Sequence, residues 1–187
     1  RDLDLLSEFG RVKGAGSVSN PGASLEDYWP GADLDLELSF IKANWAFLDQ
    51  FALPALDRLD GWFNGQVRVA GTTSEPVLRG NVHSAPFNVH WLHLDELSAS
   101  VWADSRGLVL GDLRGHKDDL HLSGRIEIPL VLDLMSEPVA PLDGPFYMQL
   151  EVPPGSNLKA LSRATNAFVT SSGTGEASVV IAGPLDH

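Results

Sequence analysis

DLDLELSF, residues 33–40, alternates acid and apolar side chains almost without a break. On a strand, successive side chains point to opposite faces. Leu34, Leu36, Leu38 and Phe40 would then share one face, with Asp33, Asp35, Glu37 and Ser39 on the other. A helix would scatter the same residues around its axis. One dry face and one wet face is the pattern of a half-buried strand in an antiparallel sheet.

The same period recurs along the chain. Val67 and Val69 alternate in QVRVAG (66–71). Leu78 and Val82 alternate with Arg79, Asn81 and His83 in VLRGNVH (77–83). FNVHW (87–91) sets Phe87, Val89 and Trp91 against Asn88 and His90. LSASV (97–101), LHLSGRIEI (120–128), FYMQLEV (146–152) and ASVVIAG (177–183) continue the series. About ten such segments, separated by turn residues every 8–12 positions or so, predict an antiparallel meander. The turns are GTTSEP (71–76), ADSRG (103–107), GHKDD (115–119) and APLDGP (140–145), with loops at SNPGAS (19–24) and WPG (29–31).

Two segments change period. NWAFLDQFALPALDRLD (44–60) has Trp45, Leu48, Phe51, Ala52, Leu56 and Leu59 at helical spacings, with a restart at Pro54. SNLKALSRATNAF (156–168) has Leu158, Leu161, Ala164 and Phe168 after a Ser/Asn start. Each precedes one copy of a repeated line, GWFNGQVRVAG (61–71) and GTGEASVVIAG (173–183). At a constant offset, Gly61 meets Gly173, Val67 meets Val179, Val69 meets Ile181 and Gly71 meets Gly183. DLDLLSEFG (2–10), followed by GSVS, reads as a fainter third helix in the same order. Repeats that each meet only their neighbours build extended objects.

So many one-sided strands need a cover for their dry faces. A second sheet, a closed barrel, or one long sheet curled into a trough would each supply it. Two or three short helices cannot cover ten strands, and the repeat favours the trough.

Composition narrows function. The 187 residues carry 13 Lys and Arg against 25 Asp and Glu, a formal charge of −12. That opposes nucleic acid and electrostatic docking on an anionic membrane. With no cysteine, disulfides, thiol catalysis and Cys-zinc sites are excluded. No apolar run within these residues reaches the roughly 18–20 of a membrane helix, and none reads as a signal peptide, which says nothing of a longer parent. The chain starts at Arg1 rather than Met and stops in a stretch that reads as structured, so a segment of a longer protein is expected.

Candidates for chemistry are sparse. His90 and His93 fall on opposite faces of a strand, and His116 and His121 flank a turn, so no metal site is expected. Asp33, Asp35 and Glu37 line a wet face, where nothing builds a paired-carboxylate pocket. Trp91 and Trp102 have opposite parity and form no stacking row for sugars. No catalytic residue and no cofactor is expected.

The spacing L-x-x-L-x-G-x-x-x-G-x-V-x-V-x-G-T-x-x-x-P-x-L-x-G-x-V runs through Leu56, Leu59, Gly61, Gly65, Val67, Val69, Gly71, Thr72, Pro76, Leu78, Gly80 and Val82. It resembles the repeat of the TamB family, within the AsmA-like proteins of repeating β-groove type. Phe168, Gly173, Ala177, Val179, Ile181 and Gly183 follow the same unit, with Ala177 in place of the glycine at Gly65. Motif-level likeness covers 56–82 and 168–187 within one domain spanning 1–187. The resemblance implies a mostly β fold: a long curled antiparallel sheet with two or three short helices, open as a hydrophobic groove. It implies a periplasmic segment of a protein anchored in the inner membrane of a diderm bacterium. The implied partners are phospholipid acyl chains and an Omp85-class outer-membrane protein. The implied groove lining is Leu36, Leu38, Val67, Val69, Leu78, Val82, Phe87, Val89, Leu122, Ile126, Met148, Leu150, Val179 and Ile181. A charge at Val69 would block such a groove, whereas one at Arg79 or Ser100 would not. Two alternatives stay open: a scaffold assisting outer-membrane protein or autotransporter assembly, and a closed β-sandwich binding module.

Overall fold

Alternating segments become strands wherever a neighbour can pair with them, and here most find that neighbour next along the chain. The computed structural model describes residues 2–21, 29, 31–45, 59–89, 92–132, 134, 139–141, 144–157, 159 and 173–183. Its elements are β1 (Asp2–Ser7), β2 (Gly10–Ser19), β3 (Asp33–Asn44), β4 (Leu59–Thr72), β5 (Pro76–Val89), β6 (Leu92–Leu94), β7 (Glu96–Asp104), β8 (Gly107–Lys117), β9 (Leu120–Ile128), β10 (Leu130–Leu132), β11 (Val139–Pro141), β12 (Phe146–Asn157) and β13 (Thr174–Gly183).

One 11-stranded sheet runs in the order β1-β2-β3-β4-β5-β7-β8-β9-β12-β13, with β6 paired to β5. β10 and β11 form a separate two-stranded ladder. All pairings are antiparallel, and β1 and β13 are the free edges. The sheet is open and curled, not closed into a barrel. A single sheet replaces the two facing sheets of the sandwich alternative.

DLDLLSEFG departs from its helical reading. Residues 2–7 are β1, paired with β2 through Leu3↔Gly14 and Leu5↔Val12. An available ladder partner outweighs a short, unsupported helical period. The two other helical expectations, 44–60 and 156–168, lie for most of their length outside the described residues. At their margins strand takes over: Asn44 ends β3, Leu59 and Asp60 open β4, and Ser156 and Asn157 end β12.

Both copies of the repeated line are strands, in β4 and β13. Gly61 has φ 121° and Gly173 φ 95°, backbone that side chains with a Cβ rarely adopt. The equivalence therefore extends from residue type to conformation at the opening glycine.

The curl is written into the register. Glycines on the inward face stand between large residues of both neighbouring strands. Gly80 lies between Val67 and Val101, and Gly124 between Leu113 and Leu150. A Cβ on Gly80 would land on the carbonyl oxygen of Gln66 and 2.8 Å from the Val67 Cα. Strands approach there more closely than any side chain permits.

The two margins of the sheet, where the strands turn, are held differently. At the margin carrying the β4–β5 turn, the Thr73 N–H donates to the Ala32 carbonyl (3.0 Å), its hydroxyl donates to the Trp29 carbonyl (2.8 Å), and the Leu134 N–H donates to the Thr73 carbonyl (3.0 Å). At the other margin β6 folds against the inward face and buries Leu92 and Leu94, the latter against Gly115. The main core gathers there around Phe63, Leu94, Leu97, Leu113, Leu120 and Val152. Trp45 stacks on Phe63 at 4.1 Å and donates its indole N–H to the buried Ser84 hydroxyl (2.8 Å).

Candidate functional site: the inward apolar face

The ladders decide which side chains stand together. Leu36 is opposite Val69, which is opposite Leu78, while Leu38 faces Val67. Farther along, Ile126 pairs with Met148 and Met148 with Ile181, and Leu150 pairs with Val179. Val82 faces Gly65 and Leu122 faces Gly115, on the same side of the sheet.

The expected lining thus forms two groups on one face. Leu36, Leu38, Val67, Val69, Leu78 and Val82 come from β3–β5, and Leu122, Ile126, Met148, Leu150, Val179 and Ile181 from β9–β13. Val67, Val69, Val82, Leu122, Met148 and Leu150 are buried. Leu36, Leu38, Leu78 and Ile126 are half-buried. Phe87 is half-buried too, meeting Trp45 edge-on at 6.1 Å. Val89 ends β5, and its side chain lies outside the described residues. Val179 and Ile181, on the edge strand, stay 44% and 45% exposed.

Residues absent from that expectation join the groups. Ala99, Val101 and Ala103 of β7 pair with β5, and Leu108 and Leu110 of β8 pair with β7 and β9, all on the inward side. Ala99 and Val101 belong to the alternation already read in LSASV. Leu108, Leu110 and Leu113 were obscured by a skip in period at Gly111–Asp112, where β8 carries an extra residue against both neighbours. Leu34, Val18 and Phe40 extend the first group toward β2.

The inward face runs from Leu3 and Leu5 on β1 to Ala177, Val179 and Ile181 on β13. Among its described positions only Lys117, at one end, carries a charge, and it is bound to Asp95. Charge is kept outside. Arg68 bridges to Asp35 (3.0 Å) and Arg125 to Glu127 (2.6 Å), both on the outward face. Glu96 receives His116 at 2.9 Å and His83 at 3.3 Å. Asp104 is held below the usual carboxylate range by hydrogen bonds from the Arg106 guanidinium and backbone N–H. Among the described residues no three metal-ligating side chains converge. The inward face offers dispersion contact and exclusion of water.

No family model, curated protein or solved structure matches this chain. No helix among the described residues is long and apolar enough to cross a membrane.

Proposed function

We propose that this chain carries phospholipid acyl chains along its inward face, as a TamB-like segment of a path between inner and outer membranes. In this reading the parent protein is anchored in the inner membrane, crosses the periplasm and meets an Omp85-class protein. The observation that carries it is the unbroken apolar register from β1 to β13 on one side of an open sheet. Removing a methylene from water is worth about 0.8 kcal/mol, so a chain of about 16 carbons resists exposure by about 10 kcal/mol or more. A continuous dry face lowers that barrier, and an open seam leaves the headgroup in water. Strand spacing of about 4.8 Å gives ten strands roughly 50 Å of path. No reaction and no cofactor is needed.

The test is lipid recovered with the purified chain. Val69→Asp buries a carboxylate and risks unfolding, so Ile181→Asp is tested beside it, at a site already half exposed. Ser100→Asp, on the outward face, is the control. Phospholipid should accompany the wild type and the control and be depleted from folded Ile181→Asp. Wild-type chain without lipid, or Ile181→Asp with a full complement, refutes the reading.

The bare edge favours a second reading. β13 ends the sheet with Val180 57% exposed on its outward side, a template for an added strand. A scaffold that pairs with an unfolded outer-membrane protein would use it. Proline at Val180 would impair that role more than Ile181→Asp.

A further inference from the structure

The outward face is not uniformly convex. Over β5, β7, β8, β9 and β12 it holds an open concavity of about 880 Å³, within the range of about 300–1,000 Å³ typical of small-molecule sites. Its floor is the bulge at Gly111–Asp112, where Asp112 adopts φ 45°. Bulges bend a sheet and re-aim its side chains, and they gather beside functional sites. A side chain on Gly111 would stand 2.9 Å from the Ser100 hydroxyl, so the glycine keeps the floor clear.

The walls are polar and partly preorganised. On one side the Arg79 guanidinium lies over the Trp102 ring at 5.1 Å, which fixes its plane. On the other, the Tyr147 hydroxyl donates to Gln149 and the Gln149 amide to Glu151, both at 2.8 Å. Arg114 and Ser123 face each other across β8 and β9 and line the middle. Among the described residues, neither Arg79 nor Arg114 pairs with a carboxylate, although Arg11, Arg68, Arg106 and Arg125 all do. In a chain of charge −12, these two guanidinium groups line one concavity together with the carboxylates of Asp112 and Glu151.

We infer that this concavity binds an acidic oligosaccharide. Guanidinium forks match the two oxygens of a carboxylate. Ser100, Ser123, Asp112 and Glu151 offer donors and acceptors to sugar hydroxyls, and the exposed part of Trp102 offers an apolar surface to a ring. The lining mixes polar side chains with apolar surface from Val101, Trp102, Val109 and Leu113, which suits a sugar ring and its hydroxyls together. The site stands on the opposite side of the sheet from the acyl-binding face and does not depend on it.

The test is calorimetric titration of the chain with tetragalacturonate, with neutral maltotetraose and with inorganic phosphate. Tetragalacturonate should bind and maltotetraose should bind at least about tenfold more weakly, a difference of about 1.4 kcal/mol. Arg79→Ala and Arg114→Ala, exposed changes that leave the sheet intact by circular dichroism, should each weaken tetragalacturonate about tenfold or more. Arg11→Ala, remote from the site, should not. Binding should fall as salt rises. Equal binding of the neutral and acidic sugars, no binding of tetragalacturonate, or indifference to both arginine changes overturns the inference. Phosphate binding as tightly as the sugar acid would make this a free-oxyanion site and overturn the saccharide assignment.

Discussion

Gly80→Ala tests the close strand approach that curls the sheet. The new methyl would fall on the Gln66 carbonyl oxygen and 2.8 Å from the Val67 Cα, both backbone atoms of β4. Backbone in the middle of a ladder cannot step aside as a side chain does. The strands must part locally, weakening the neighbouring pairs Gly65↔Val82 and Val69↔Leu78. Overpacking of this kind costs about 1–3 kcal/mol. Any Gly→Ala change also restricts the unfolded chain, which stabilises by about 0.4–1 kcal/mol. The net expectation is a loss of about 1–2 kcal/mol, or roughly 2–8 °C in Tm for a chain this long. Gly183→Ala isolates the close approach, because Gly183 has nothing within 4 Å of its added methyl and no positive φ. It carries the same unfolded-state gain and no clash, so its Tm should hold or rise. Thermal unfolding followed by circular dichroism measures both. A Gly80→Ala chain as stable as Gly183→Ala would refute the steric account of the curl.

Two further perturbations probe the margin of the sheet beside β6. Ser84→Ala removes the hydroxyl that accepts the Trp45 indole N–H and lies 3.1 Å and 3.0 Å from the Trp62 and Pro86 carbonyls. Orphaning these buried groups should cost about 1–3 kcal/mol in urea unfolding, with a changed Trp45 emission. Asp95 is held below the usual carboxylate range, first by the Lys117 ammonium and then by the Asp118 backbone N–H. As pH falls below about 4 the unfolded chain takes up this proton before the folded one, so the contribution present at neutral pH is lost through the acid range. Asp95→Asn should slightly lower the urea midpoint at pH 7 and flatten its acid decline. The effect is small because the pair is partly exposed and screened.

The strands and their faces were legible because period-two alternation depends only on local sequence. Leu34, Leu36 and Leu38, or Met148, Leu150 and Val152, need no partner to declare their side. β1 was less legible: its Leu5–Leu6 doublet breaks alternation, and only pairing with β2 settles it. The small-against-large matching of Gly80 or Gly124 with its neighbours exists only once register is known. The skip from Leu110 to Leu113 breaks the period and hid β8's inward face, and the bend it puts into the sheet needs both neighbouring ladders. The outward concavity was missed for the same reason, since Arg79, Trp102, Arg114 and Gln149 come from four strands that no spacing rule connects. Exposure at Val179 and Ile181 reflects their place on the last strand, which alternation cannot show.

Strand order that repeats chain order has a consequence for how the molecule is made. In the main sheet each strand after the first pairs with one that precedes it in the chain, so none waits for a distant later segment. Loop-closure entropy is met in small steps, one reversal at a time. A chain delivered from its amino end could build this sheet in the order it arrives, each new hairpin docking on the edge the last one left. The same property makes length an evolutionary variable: duplicating a hairpin lengthens the object without redrawing any existing contact.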